Sequence, residues 1–126
     1  MIVEDNELNM KLFHDLLEAY GYRTIGTGNG LEVPDLARKY RPDLILMDIS
    51  LPVVDGTEAT RQIKAAPETK HIPVIALTTS DAESDVLYAY GRGVNSYIRK
   101  PSSYGEFVDV MKVFDKYWHD LCKLPG

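Results

Sequence analysis

"LILMDISLPVVDG", residues Leu44 to Gly56, begins as a strand and then breaks in a way that organises the rest of the chain. Leu44 to Met47 form a continuous apolar run, the pattern of a strand covered on both faces of a parallel sheet. Asp48 follows directly, and Leu51-Pro52 and Asp55-Gly56 are turn signals. A carboxylate at the end of a buried strand is costly unless an opposite charge meets it. What else ends at that edge therefore decides the function.

Working outward, short apolar runs alternate with longer stretches of helical period. Ile2 and Val3 make a very short first strand, and Leu8, Leu12, Phe13, Leu16, Leu17 and Tyr20 form a helical stripe stopped by Gly21. Arg23 to Thr27 reads as the second strand. The second helix spans roughly Leu31 to Tyr40, with Pro34 in or just inside its first turn, so its start is delayed or kinked. After the third strand a helix runs from about Gly56 to Ala65, and Pro73 to Leu77 is the fourth strand. Ser80 and Glu83 have capping-box spacing, and Asp81, Glu83 and Asp85 favour the positive end of a helix running to Tyr90. Tyr97 and Ile98 make the fifth strand, and Ser103 with Glu106 opens a last helix to about Leu121. Repeated βα units of this kind predict an α/β fold around a parallel sheet.

The 126 residues suit one domain over the whole chain, with no output domain expected. A hydrophobic content of 44% with 26% charged residues is that of a folded globular chain rather than a disordered one. The net charge is −5 and the Lys and Arg residues are scattered, which argues against nucleic acid or an anionic membrane as partner. Cys122 is the only cysteine, so no internal disulfide is expected, and no apolar run reaches bilayer-spanning length. With no charged-then-apolar leader at the start, a cytoplasmic setting is expected.

In an open α/β sheet, ligands sit outside the carboxyl ends of the strands. Glu4 and Asp5 follow the first strand, Asp48 the third, Thr78 the fourth, and Lys100-Pro101 the fifth. Any one of these alone is an ordinary cap or loop residue. Together they crowd carboxylates that resist ionisation unless a cation lies among them. Mg²⁺ accepts one or two carboxylates, a carbonyl and a phosphoryl oxygen, and no Cys and His cluster suggests zinc. A carboxylate beside such a metal can act as nucleophile towards a phosphoryl group, with Lys100 as a second positive charge and Thr78 as a hydroxyl donor.

Glu4-Asp5-Asn6, Met47 to Pro52, Asp55-Gly56, Leu77-Thr78 and Tyr97 to Pro101 together resemble the receiver domain of two-component response regulators, over nearly the whole chain. The resemblance implies a flavodoxin-like (βα)5 three-layer sandwich with a five-stranded parallel sheet in the order 2-1-3-4-5, the order the chemotaxis member illustrates. It implies that Asp48 accepts phosphate from a partner histidine kinase or phosphotransfer protein. Glu4, Asp5, Asp48 and the Ser50 carbonyl would hold Mg²⁺, Glu4 mainly through water. Thr78 and Lys100 would contact the phosphoryl group, and Thr78 and Tyr97 would form the switch. The Lys100-Pro101 bond would be cis, which proline permits at about 0.5 to 1 kcal/mol. Such a protein is a phosphoacceptor that assists its own phosphorylation and dephosphorylation, not an enzyme acting on a separate substrate. Its output would be a changed protein-binding face made by the fourth helix, the fifth strand and the fifth helix, where an unknown downstream protein or a second copy would dock.

Some residues depart from the pattern. Receivers carry more apolar residues ahead of the acid pair, and Thr79 stands where alanine or glycine is common, which implies slower phosphate exchange. "VEDNELNMKLFHDLLEAYGY" is similar to single-domain receivers of cell-fate phosphorelays, whereas "LTTSDAESD" and "YWHDLCKLPG" are similar to stand-alone regulators paired with cyanobacterial phytochromes. Recombination, design and divergence within one branch all produce that mixture. His14-Asp15, His71 and His119 read as surface residues. The stripe of Phe107, Val110, Met111, Phe114, Tyr117, Trp118 and Leu121 reads first as core-facing, with Tyr117 and Trp118 as candidates for a partner contact. The alternative function is a degenerate or engineered receiver-fold module that binds partners without phosphorylation. A phosphoaspartate hydrolase is disfavoured because it wants a second acid two residues after Asp48, where Ser50 stands.

Overall fold

The structure, a computed structural model, describes residues 1–49, 55–78, 90–100 and 103–122, with the side chains of 117–122 left outside that description. The predicted capping box at Ser80 and Glu83, the helix it opens, and the Tyr117 and Trp118 side chains therefore lie outside the described residues.

Five parallel strands form one sheet: β1 (Ile2–Val3), β2 (Gly26–Thr27), β3 (Ile45–Asp48), β4 (Val74–Thr78) and β5 (Ser96–Arg99), in the order β2-β1-β3-β4-β5. The described helices are α1 (Glu7–Ala19), α2 (Val33–Tyr40), α3 (Gly56–Ala65) and α4 (Tyr104–Cys122). β1 is as short as expected, yet it is interior, paired at Ile2 with Gly26 on one side and Leu46 on the other. β2 is shorter than the predicted Arg23 to Thr27, because only Gly26 and Thr27 find partners on so short a β1. β5 is longer than its apolar pair, because main-chain pairing with β4 recruits Ser96 and Arg99 regardless of polarity.

Side-chain alternation along the strands splits the core into two layers. Ile45, Met47, Val74 and Ala76 pack with Val33, Ala37, Ala59 and Ile63 of α2 and α3. Leu46, Ile75 and Leu77 pack on the other face with Phe13 and Leu17 of α1 and with Phe107, Met111 and Phe114 of α4. Phe13 and Phe107 meet edge to face at 5.0 Å. Both faces of β3 and β4 are thus covered, which is why these strands read as unbroken apolar runs.

Local signals place the ends. Asn6 caps α1 by accepting from the Asn9 amide, and α1 stops where Gly21 adopts φ +91° and its amide returns to the Glu18 carbonyl. A 3-10 turn at Gly30–Glu32, capped by Asn29, precedes α2, so the delay expected from Pro34 is present. Asp55 caps α3 by accepting from the Thr57 and Glu58 amides at 2.9 and 3.0 Å.

Candidate functional site

Parallel strands end together, so the residues after β1, β3, β4 and β5 reach one edge. The Glu4 amide donates to the Thr27 carbonyl at 3.0 Å, and the Ile49 amide to the Leu77 carbonyl at 3.1 Å. The Lys100 amide donates to the Thr78 carbonyl at 2.6 Å, extending the β4 to β5 ladder by one residue. The strand exits are therefore fixed by main-chain hydrogen bonds, and their side chains inherit that placement.

Lys100 Nζ donates to Glu4 Oε1 at 2.8 Å and to Asp48 Oδ2 at 3.0 Å. Glu4 and Asp48 are 2% and 1% exposed, so Asp48 ends the strand buried, as its sequence position implied, and meets an ammonium there. Asp5 is exposed at the mouth, and one oxygen from each of Glu4, Asp5 and Asp48 lies within 4.8 Å of the others. Thr78 is buried at the end of β4, one residue beyond the Leu77 that pairs with Asp48. Tyr97 lies on edge strand β5, 37% exposed, with its ring edge to face against Tyr90 at 6.3 Å. Glu4, Asp5, Asp48, Thr78 and Lys100 are thus placed at the same edge. Ser50, Thr79 and the Lys100-Pro101 bond lie outside the described residues.

Burial pushes the Glu4 carboxyl above the usual carboxylate range, the Lys100 hydrogen bond opposes this, and the neighbouring Asp48 charge adds to it. For Lys100, burial alone pulls the ammonium down, but the hydrogen bonds and charges of Glu4 and Asp48 carry the net shift upward. Lys100 faces two of the three clustered carboxylates, so among the described residues acids outnumber the ammonium at this edge.

Glu4 Oε1 takes both the Lys100 ammonium and the Asn6 amide at 3.2 Å, while Glu4 Oε2 is buried with no hydrogen-bond partner among the described residues. A buried carboxylate oxygen left without a donor needs a compensating group. The donors are all hard oxygens, so the residues fit a divalent cation of the magnesium type, directly or through its water. Sequence reasoning brought Lys100 to Asp48 and the phosphoryl group but missed its hydrogen bond to Glu4; it also missed the Asn6 amide on Glu4. The only local signal was Asn6 as a helix cap directly after the acid pair, which turns its amide back towards Glu4.

The sequence matches the family model of the response regulator receiver domain over residues 1–112. It is 55% identical over 114 residues to the polar-differentiation response regulator DivK of Brucella anthropi, covering 90% of this chain and 93% of that protein. Among solved structures, the phosphorylated cyanobacterial phytochrome response regulator RcpA aligns with TM-score 0.85 and 31% identity, over 99% of this chain and 96% of the other. The receiver domain of a Pseudomonas aeruginosa sensor histidine kinase, with magnesium coordinated in its active-site cleft, aligns with TM-score 0.76 and 35% identity, over 89% and 92%. Identity above one half along nine-tenths of the sequence, on a sheet with the same strand order and an acidic pocket at its carboxyl edge, makes this chain a member of the response regulator receiver family.

Proposed function

We propose that the chain is a phosphorelay receiver whose Asp48 takes a phosphoryl group from a phosphohistidine of a histidine kinase or phosphotransfer protein. The observation that carries this reading is the buried Asp48 carboxylate held by the same Lys100 ammonium that holds Glu4, whose Oε2 has no hydrogen-bond partner among the described residues. Mg²⁺ would be held by Asp5, Asp48 and the Ser50 carbonyl, with Glu4 through water, and when bound supplies positive charge to the phosphoryl oxygens. An Asp48 carboxylate oxygen attacks phosphorus, the phosphorus–nitrogen bond of the donor breaks, and the electron pair leaves on the donor's imidazole, which takes up a proton. Lys100 already stands at Asp48 and would carry the second positive charge as negative charge spreads over the transferred group. The Thr78 hydroxyl would donate to a phosphoryl oxygen, and its movement would free space for Tyr97 to turn inward. Tyr97 meets Tyr90 edge to face at the partly exposed edge, so such a turn would alter the surface offered to a downstream protein or a second copy.

The composition supports a protein partner in the cytoplasm rather than nucleic acid or membrane. Incubation with Mg²⁺ and acetyl phosphate, followed by intact-mass spectrometry, should add one phosphate to the wild type and none to Asp48→Asn. An adduct that survives Asp48→Asn, or no adduct on the wild type, would sink the reading, the second outcome leaving a binding module that works without phosphate.

A further inference from the structure

We infer that Gly56, a residue with no reactive group, is a positioning residue for the acidic pocket, because its missing side chain lets the first turn of α3 lie directly on the main chain of Asp48. The inference deepens the phosphoacceptor reading and rests on it. A Cβ built on Gly56 would stand 2.2 Å from the Asp48 carbonyl oxygen, 2.8 Å from its carbonyl carbon and 2.7 Å from Ile49 Cα. Real Cβ atoms essentially never come closer than 3.0 Å, and these are main-chain atoms that cannot swing aside. By contrast, Gly91 and Gly105 have nothing within 4 Å of such a Cβ among the described residues.

The contact is one side of a clamp on the exit from β3. The Gly56 amide donates to the Ile49 carbonyl at 3.3 Å, while the Ile49 amide donates to Leu77 of β4. The Gly56 carbonyl in turn accepts the buried Thr60 hydroxyl at 2.7 Å, and the Asp55 cap fixes the same turn. Asp48 and Ile49 are thus gripped by β4 on one side and by α3 on the other. Any L side chain at position 56 must open the gap between α3 and Asp48 by most of an ångström. That shift falls on the carboxylate that faces Lys100 and on the main chain leading towards Ser50. Coordination and phosphoryl transfer are sensitive to displacements of that size, a misplacement of about 1 Å costing on the order of a hundredfold in rate.

The test compares Gly56→Ala with Gly91→Ala and Gly105→Ala in the full chain. Calorimetric Mg²⁺ titration should show at least a tenfold loss of affinity for Gly56→Ala alone. At saturating Mg²⁺ its rate of adduct formation from acetyl phosphate should also fall at least tenfold, with a cooperative thermal melt retained and both controls within twofold of wild type. A folded Gly56→Ala protein with unchanged Mg²⁺ affinity and rate overturns the inference. Should that variant not fold, the unsubstituted protein decides by hydrogen exchange. A clamp that holds the metal site must be tightened by the metal in return, so the Gly56 amide should exchange several-fold more slowly with Mg²⁺, and unchanged exchange overturns the inference. Failure of the wild type to take phosphate while binding Mg²⁺ would sink the phosphoacceptor reading and leave the affinity comparison to judge Gly56.

Discussion

Lys100 makes the buried acids of this pocket tolerable: one ammonium, 12% exposed, reaches two carboxylates that have almost no contact with water. Removing one member of a buried ion cluster strands the others, at a typical cost of about 3–5 kcal/mol. Lys100→Ala should therefore lower stability by roughly that amount in denaturant melts without metal. Mg²⁺ should raise the melting temperature of the variant more than that of the wild type, because a cation then replaces the lost charge. Equal stability of the two proteins without metal would contradict the pairing. Legibility at this scale was uneven. Asp48 declared itself as a charge at the end of an apolar run, and Glu4, Asp5, Thr78 and Lys100 as polar residues after strands. The Lys100 to Glu4 bond joins residues 96 positions apart, and no periodicity in either neighbourhood points across that distance.

At the scale of elements, the ends of α3 and the strands beside it carry the site, and surface electrostatics reinforce the helix. Arg61 forks onto both Glu58 oxygens at 2.7 and 2.9 Å, and Arg92 reaches the same carboxylate at 2.9 Å from the helical residues 90–92. The Arg61 hydrogen bond, with help from Gln62 and the Arg61 and Arg92 charges, holds the Glu58 carboxyl down at about 2. An acid whose folded value lies below its unfolded one stabilises the fold above the unfolded value, and that contribution is lost as pH falls. Stability should therefore drop between pH 4.5 and about 2, and Glu58→Gln should flatten that part of the profile. Urea melts across this range check it, and an unchanged slope would show that the paired charges contribute nothing measurable. Element types were readable because covered strands and amphipathic helices differ in period. Boundaries were less so: β2 and β5 end where a neighbouring strand's main chain stops offering partners, which apolar content does not encode.

For the whole molecule, binding at one edge is coupled to the stability of the entire sheet, because Glu4, Asp48, Thr78 and Lys100 stand at the ends of four different strands. A ligand that binds only the folded chain stabilises it by about 2.7 kcal/mol at a free concentration a hundred times its Kd. Mg²⁺ at that level should raise the melting temperature by roughly 10 °C for a domain of this size, and a chelator should reverse the shift. A melting temperature indifferent to Mg²⁺ would count against the metal site. No helix among the described residues is long and apolar enough to cross a membrane, in keeping with the absence of any long apolar run in the sequence.

The alternation of strand and helix, the parallel sense of the sheet and the polar residues that close each strand are written in the local order of residues, because side-chain period and turn chemistry are local properties. Strand order was legible only through resemblance to a family, since periodicity says that strands pair but not which ones. Only the folded arrangement shows that Lys100 bridges Glu4 and Asp48, that one Glu4 oxygen is buried without a partner among the described residues, and that Gly56 leaves room for α3 on the main chain of Asp48. Each of these depends on the distance between segments remote in the chain, and burial and charge pairing take their energies from that distance rather than from the identity of any one residue.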